Sequence, residues 1–366
     1  MPIVERYAYF DHAAVAPLPS PAAAALAEFA QEACLQGDTA WPHWAEQADE
    51  LHGLFAQLLG ADAAEIAVTH NTTEGITFVA EGLPWQHGDN VVTLADEFPS
   101  NQYPWLNLAT RGVETRRVPT EMGRVDLDRL ASACDARTRI VSISWVSYSS
   151  GWRNDLDQVA EMAHRRGALL MIDAIQGLGV TPLDVRRSPI DFLAADGHKW
   201  MLGPEGCGVL YIRREHLDRL RPFGVGWNSV RHAHDFGRIE LIFRDSAARY
   251  EGGSQNMAGS LALRQSLRLL LEHGPEAIFT RIGQVCDEAC QRLTAAGAKL
   301  RSDRTPEHRS GIVIFDWPGE EPQAARQRCL ARGVVLSCRG GGLRISPHAY
   351  NDSSDIDRLL AALQNE

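Results

Sequence analysis

From about residue 60 to 212 the chain alternates short apolar runs with amphipathic stretches. The runs EIAVTH, NVVTLA, RIVSISWV, ALLMIDAI, DFLAAD and GCGVLYI have the length of strands. Near-continuous apolar strands are the mark of a sheet buried on both faces, so a parallel sheet covered by helices is expected. Between them DLDQVAEMAHRRG sets Leu156, Val159, Ala160 and Ala163 along one side of a helix, the period of a covering element. The expected core is α/β.

The flanks read differently. SPAAAALAEFAQEACLQG predicts a helix with Ser20 as its cap, Pro21 in the first turn and Gly37 as its stop. Beyond an irregular stretch over about 213–255, helical patterns run near 257–273 and 275–296. They are followed by strands GIVIFDW, VVLSC and GLRISPH and helices EPQAARQRCLARG and SDIDRLLAAL. A chain of 366 residues exceeds what one core of about 250 to 300 residues usually holds. The expected division is an N-terminal segment (1–20) packing with a small α+β C-terminal domain (256–366), and a large domain (21–255) between them.

Composition narrows the partners. With 36 basic and 47 acidic side chains the formal charge is −11, which argues against nucleic acid or an anionic membrane, since both reward basic patches. MPIVERYAYF lacks a basic-then-apolar leader and no apolar run approaches ~20 residues, so a cytoplasmic location is expected. The seven cysteines, Cys34, Cys134, Cys207, Cys286, Cys290, Cys329 and Cys338, are scattered and odd in number, which favours reduced thiols. Cys286 and Cys290 have helical spacing, but no His or Cys cluster completes a zinc set, and no metal is expected.

Three separated segments carry chemistry. In DGHKWMLGPEGCGVLYI, Lys199 follows an apolar strand, where open α/β sheets collect their ligands. A lysine shielded from water loses its proton readily and becomes a nucleophile towards aldehydes; the bland alternative is a solvated loop residue. In LLMIDAIQGLG, Asp173 ends a strongly apolar strand, where a carboxylate needs a partner such as a protonated pyridine nitrogen, or else caps the following turn. In THNTTEGITFVAEGL, Asn71, Thr72 and Thr73 open a helix whose free N–H groups and positive end suit a phosphate, ordinary capping being the alternative. A lysine, a strand-end aspartate and a phosphate cradle together describe one ligand, pyridoxal 5′-phosphate (PLP).

The ordered motifs YFDHAAVAPLP, HNTTEGI, EFPSNQYPW, SWVSYSSGWRNDL, MIDAIQGLGVTPLDV, ADGHKWMLGPEGCGVLYI, RYEGGSQNMAG and LRISPHAYNDSSDIDRLLAAL span nearly the whole chain. In them the sequence resembles the class V aminotransferase group of fold-type I PLP enzymes, which includes cysteine desulfurases, selenocysteine lyases, kynureninases and isopenicillin N epimerase-like proteins. The resemblance implies the PLP-dependent transferase fold, with a mainly parallel sheet in a large domain and a smaller α+β domain. It implies Lys199 as the Schiff-base lysine, Asp173 beneath the pyridine nitrogen and Gln176 on the phenolic oxygen. Thr72, Thr73 and His198 would meet the phosphate, and Ser254 the phosphate of a neighbouring subunit, which implies a homodimer.

For substrate, the resemblance implies Arg344 as the carboxylate grip, a task suited to a planar bidentate cation. Arg339 is a second anion contact, while Tyr148 and His12 stand where many relatives carry asparagine. Relatives often place a histidine over the cofactor ring; here the matching region is EFPSNQ, and Phe98 is expected to supply that face. His348 would support its loop. A desulfurase needs a cysteine on a mobile loop before the carboxylate-binding arginine, yet SCRGGGLR leaves Cys338 in a tight connection, which reads as structural. The expected activity is therefore an aminotransferase acting on an amino acid or related amine, with β-lyase or epimerase as alternatives and a non-catalytic PLP-binding module as the reading from another class.

Overall fold

The computed structural model describes residues 1–364. Its first strand, β1 (Ala8–Tyr9), pairs with a segment more than 300 residues away, described below. Seven strands then build the main sheet: β2 (Ile66–Thr69), β3 (Asn90–Leu94), β4 (Glu114–Val118), β5 (Thr138–Ser144), β6 (Leu169–Asp173), β7 (Phe192–Asp196) and β8 (Gly208–Ile212). Their order is β2-β8-β7-β6-β5-β3-β4. All run in one direction except β8, which is antiparallel to both β2 and β7.

The pleat explains the apolar runs. Along β6, Leu170 and Ile172 join the cluster on one face and Met171 the cluster on the other; along β7, Leu193 and Ala195 oppose Phe192 and Ala194 in the same way. Both faces are buried, so alternation in hydropathy disappears while alternation in direction remains. The strand absent from the sequence reading is β4, ETRRV, at the sheet edge. Its charges remain near water, where Arg116 pairs with Glu114 at 2.9 Å and Asp135 at 2.7 Å, a common way to blunt an edge.

The helices follow their caps. Asp155 accepts from the N–H groups of Asp157 and Gln158 and so starts the helix Leu156–Arg165. The helix Ser20–Leu35 begins one residue earlier than expected, with Pro19 rather than Ser20 in the cap position. Gly274, at φ 81°, separates Met257–His273 from Pro275–Ala295.

Toward the C-terminus lie β9 (Lys299–Leu300), β10 (Val313–Asp316), β11 (Val334–Val335), β12 (Ser337–Arg339) and β13 (Gly342–Ile345). Four of them form an antiparallel sheet in the order β12-β13-β10-β9. The run VVLSC is thus divided: β11 pairs in parallel with β1, while β12 joins the small sheet. A bridge between Asp11 and Ser346 continues the link to the N-terminal segment. Gly340, at φ 57°, packs so closely on the loop after β5 that a Cβ there would stand 2.1 Å from the Ser149 carbonyl oxygen. That contact brings Tyr148 beside β13. Among the described residues no helix is long and apolar enough to cross a membrane.

Candidate active site

The carboxyl ends of β2, β6 and β7 share one edge of the sheet, and a cavity of about 320 Å³ opens there. Asp173 closes β6, paired in register with Ser144 on β5 and Ala194 on β7. It is 2% exposed and lines the cavity. One oxygen accepts the Ile175 N–H at 3.1 Å; the other receives no hydrogen bond among the described residues. Burial pushes its carboxyl up to about 6, against the Ile175 N–H and the Lys199 charge, which pull it down.

Lys199 leaves the end of β7 on a tight turn. Leu202 donates its N–H to the Lys199 carbonyl at 3.1 Å and Gly203 to that of Gly197 at 2.9 Å. Closing this turn puts the buried Leu202 at φ 57°, a left-handed conformation that costs a non-glycine residue roughly 1–2 kcal/mol. The Ser266 hydroxyl, donating to the Leu202 carbonyl at 2.8 Å, helps to hold it. The Lys199 amine lies 5.6 Å from the centre of the Phe98 ring. Burial lowers its pKa to about 8, with Asp173 opposing and Arg344 reinforcing the shift.

The phosphate cradle is the start of the helix Thr72–Gly82. Asn71 caps the Glu74 N–H at 2.9 Å and its carbonyl takes the Gly75 N–H, which leaves the N–H groups of Thr72 and Thr73 without an acceptor among the described residues. The Thr72 hydroxyl accepts from the Asp196 N–H at 3.0 Å, tying cradle to β7. The Thr73 hydroxyl donates to Ser100 at 2.8 Å. His198 Nδ1 lies 2.9 Å from Asp196 but without the alignment of a hydrogen bond, so this buried nitrogen has no hydrogen-bond partner among the described residues. Two free amides, three hydroxyls and an imidazole at a positive helix end fit a phosphate dianion. The open oxygen of buried Asp173 fits a ring cation. The residues present therefore suit PLP.

Arg344, on β13, is 1% exposed and borders the same cavity. Its Nε donates to Ser337 at 3.0 Å, Nη1 to the Tyr148 carbonyl at 3.1 Å and Nη2 to Asp11 at 3.0 Å. Of five N–H groups, one on each terminal nitrogen is left. Burial lowers the Arg344 pKa while Asp11 resists. Arg339 lines the mouth with an exposed side chain. Tyr148 stands edge-on to Phe98 at 5.3 Å between centres and closes the same wall.

Two expected residues fall outside this cavity. His12, placed with the substrate in the sequence reading, is fully buried behind it, with Nδ1 2.9 Å from the Ser346 carbonyl and Nε2 2.9 Å from the Tyr350 hydroxyl. Both ring nitrogens are committed and burial lowers the pKa well below the usual histidine range. Ser254 lines a neighbouring cleft on the far side of the cradle, which Asn71 and Thr73 share with the Lys199 cavity. His348 packs beside His12, 5.2 Å between rings, and burial lowers its pKa to about 4. Sequence reasoning passed over Ser100, whose hydroxyl meets Thr73. It also passed over Glu97, whose carboxylate accepts the Ser144 N–H at 2.6 Å beside Asp173 and is pushed up to about 8 by burial. Neither stands in a recognisable spacing.

The family model described as aminotransferase class-V matches residues 8–359. The chain belongs to the class V aminotransferase family of PLP enzymes. A probable cysteine desulfurase of Methanothermobacter thermautotrophicus is 30% identical, covering all of this chain and 96% of the relative. The cysteine desulfurase of Synechococcus elongatus is also 30% identical, over 84% of this chain and 51% of the relative. Among solved structures, the cystine C-S lyase C-DES in complex with its reaction product cysteine persulfide superposes with a TM-score of 0.92. It is 25% identical and covers 99% of this class V chain and 98% of the other. The architecture is the PLP-dependent transferase fold.

Proposed function

We propose that this class V enzyme is a PLP-dependent lyase that breaks the Cβ–S bond of a cysteine-derived amino acid and releases the sulfur in a small molecule. The observation that carries this reading is the lack of a thiol: among the described residues no cysteine lines the Lys199 cavity. Cys338 is half-buried on β12, and burial raises its pKa, so it is no ready thiolate. The relatives named for cysteine desulfuration and cystine C–S cleavage support sulfur chemistry. Without an acceptor thiol, the sulfur must depart with its own fragment. We prefer the lyase, an alternative in the sequence reading, to the aminotransferase on the names of these relatives.

Bound PLP supplies an electron sink for the pair left when a proton departs from Cα. Lys199 would hold it, and the lysine amine would take the Cα proton. Asp173 would meet the ring nitrogen as an anion, and the Thr72 and Thr73 amides, Ser100 and His198 would hold the phosphate. Arg344 would grip the α-carboxylate with its two remaining N–H groups, and Phe98 would cover the ring. Ser254, in the neighbouring cleft, would reach the phosphate of a second copy, which would make the enzyme a dimer. For cystine the balance is one water consumed, with pyruvate, ammonia and cysteine persulfide released; the Cβ–S bond electrons leave with sulfur.

Product analysis tests this. Holoenzyme given cystine, cysteine and a panel of other amino acids should release pyruvate and ammonia in equal amounts from a sulfur substrate. Accumulation of pyridoxamine phosphate with a keto acid and no ammonia would establish transamination instead, and no turnover with any substrate would favour the non-catalytic reading.

A further inference from the structure

Trp200 follows Lys199 in the chain but does not line the cavity; it is 1% exposed and packed behind it. Its indole Nε1–H donates to Gln176 Oε1 at 2.9 Å. The Gln176 amide in turn donates to the Ala13 carbonyl at 3.0 Å. An indole nitrogen can only donate and a backbone carbonyl can only accept. Turning the amide over would set N–H against N–H and oxygen against oxygen, so its orientation is fixed by its two partners. One N–H of Gln176 remains, on a residue that lines the cavity beside Asp173 and Lys199.

The far side of this lock is the N-terminal segment. Ala13 donates its N–H to the Ser346 hydroxyl at 3.0 Å, and that hydroxyl donates to the Phe10 carbonyl at 3.1 Å. His12 and His348 both pack within 6.2 Å of the Trp200 ring. The buried histidines thus form the wall against which the indole is seated.

We propose that Trp200 is a positioning residue: by holding Gln176 as a hydrogen-bond donor, it keeps the phenolic oxygen of the cofactor in its ionised form. The inference rests on the reading that Gln176 meets that oxygen. A donor stabilises an oxyanion, whereas an acceptor turned toward it would repel the charge. The Ala13 carbonyl alone would oppose the turned amide with one contact; the indole adds the second, so that the donor end stays toward the cavity and no residue in the cavity need change.

The readout is the pH midpoint of the visible absorbance band of the purified holoenzyme, which needs no substrate. Trp200→Phe keeps most of the ring and deletes the N–H; its midpoint should rise by up to about one pH unit, the scale of one hydrogen bond to a charged group. Gln176→Leu, which removes the donor outright, should give at least as large a rise, and the double variant no more than Gln176→Leu alone. An unchanged midpoint in folded Trp200→Phe, with a shifted Gln176→Leu, overturns the role of Trp200. An unchanged Gln176→Leu overturns the reading of Gln176 itself. Wild-type protein labelled with ¹⁵N-tryptophan gives a test independent of any variant: the Trp200 indole N–H resonance should move with the same midpoint as the band, and a resonance insensitive to that titration contradicts the proposal.

Discussion

Lys199 owes its reactivity to dryness. With its pKa lowered to about 8, roughly a tenth of the amine is neutral at pH 7, against some few parts in ten thousand for an ordinary lysine, a gain of a few hundredfold. Cofactor capture by apoprotein should therefore quicken from pH 6 and level off just above pH 8, followed by stopped-flow absorbance. A rise continuing to pH 10 would mean that the amine is not desolvated. The same shift is a stability statement. Between about 8 and 10.5 the unfolded chain binds the proton that the folded one has lost, so apoprotein gains stability from this group as pH rises through that window. Lys199→Met should raise the denaturation midpoint of apoprotein at pH 7 and flatten its slope from pH 8 to 10, as read by urea unfolding. At this scale the meeting of Lys199, Asp173 and Thr72 at one cavity was legible because each stands in a short, distinctive stretch. The Trp200–Gln176 bond was not, since its partners meet only after folding, and His12 showed its residue type but not that it faces away from the cavity.

The element that matters most is the helix Thr72–Gly82. It can present its amino end to the cavity because Gly75 lets it lie against β7: a Cβ there would come within 2.8 Å of the Ala194 Cβ. Gly75→Val should cost about 1–3 kcal/mol by overpacking and loosen cofactor binding, measured by urea unfolding and by equilibrium dialysis against PLP. Wild-type values for both would mean that the helix is free to shift. The strands of the sheet were readable from apolar runs alone. The direction of β8 was not, because orientation depends on how the connection crosses the sheet, and GCGVLYI looks the same either way. Strand β4 escaped because its edge position lets charged residues occupy it.

Across the whole molecule, the substrate end of the site is assembled from both ends of the chain. Arg344 comes from β13, Asp11 from beside β1, and the Tyr148 carbonyl from the loop after β5. We propose on this basis that residues 1–20 act as part of the C-terminal unit. Arg344→Lys loses the fork and cannot serve all three partners, so KM for the amino acid should rise about 10- to 100-fold with a smaller change in kcat; steady-state kinetics with a saturating cofactor decides it. The exposed apolar side chains Phe236, Ile239 and Leu241 lie on the irregular stretch before the Ser254 loop. We propose that a second copy covers them. Ile239→Glu with Leu241→Glu should yield monomers with weakened cofactor retention in sedimentation and absorbance, whereas an unaltered sedimentation profile would remove that face from the interface. Such assembly leaves little trace in a linear pattern.

The chain has only two lysines, and Lys299 is exposed on the far β9 strand. Borohydride reduction of holoenzyme followed by proteolysis and mass spectrometry therefore puts the central claim to a two-way choice. The pyridoxyl label should be found on Lys199, in full stoichiometry; a label on Lys299, or on neither, would contradict the account.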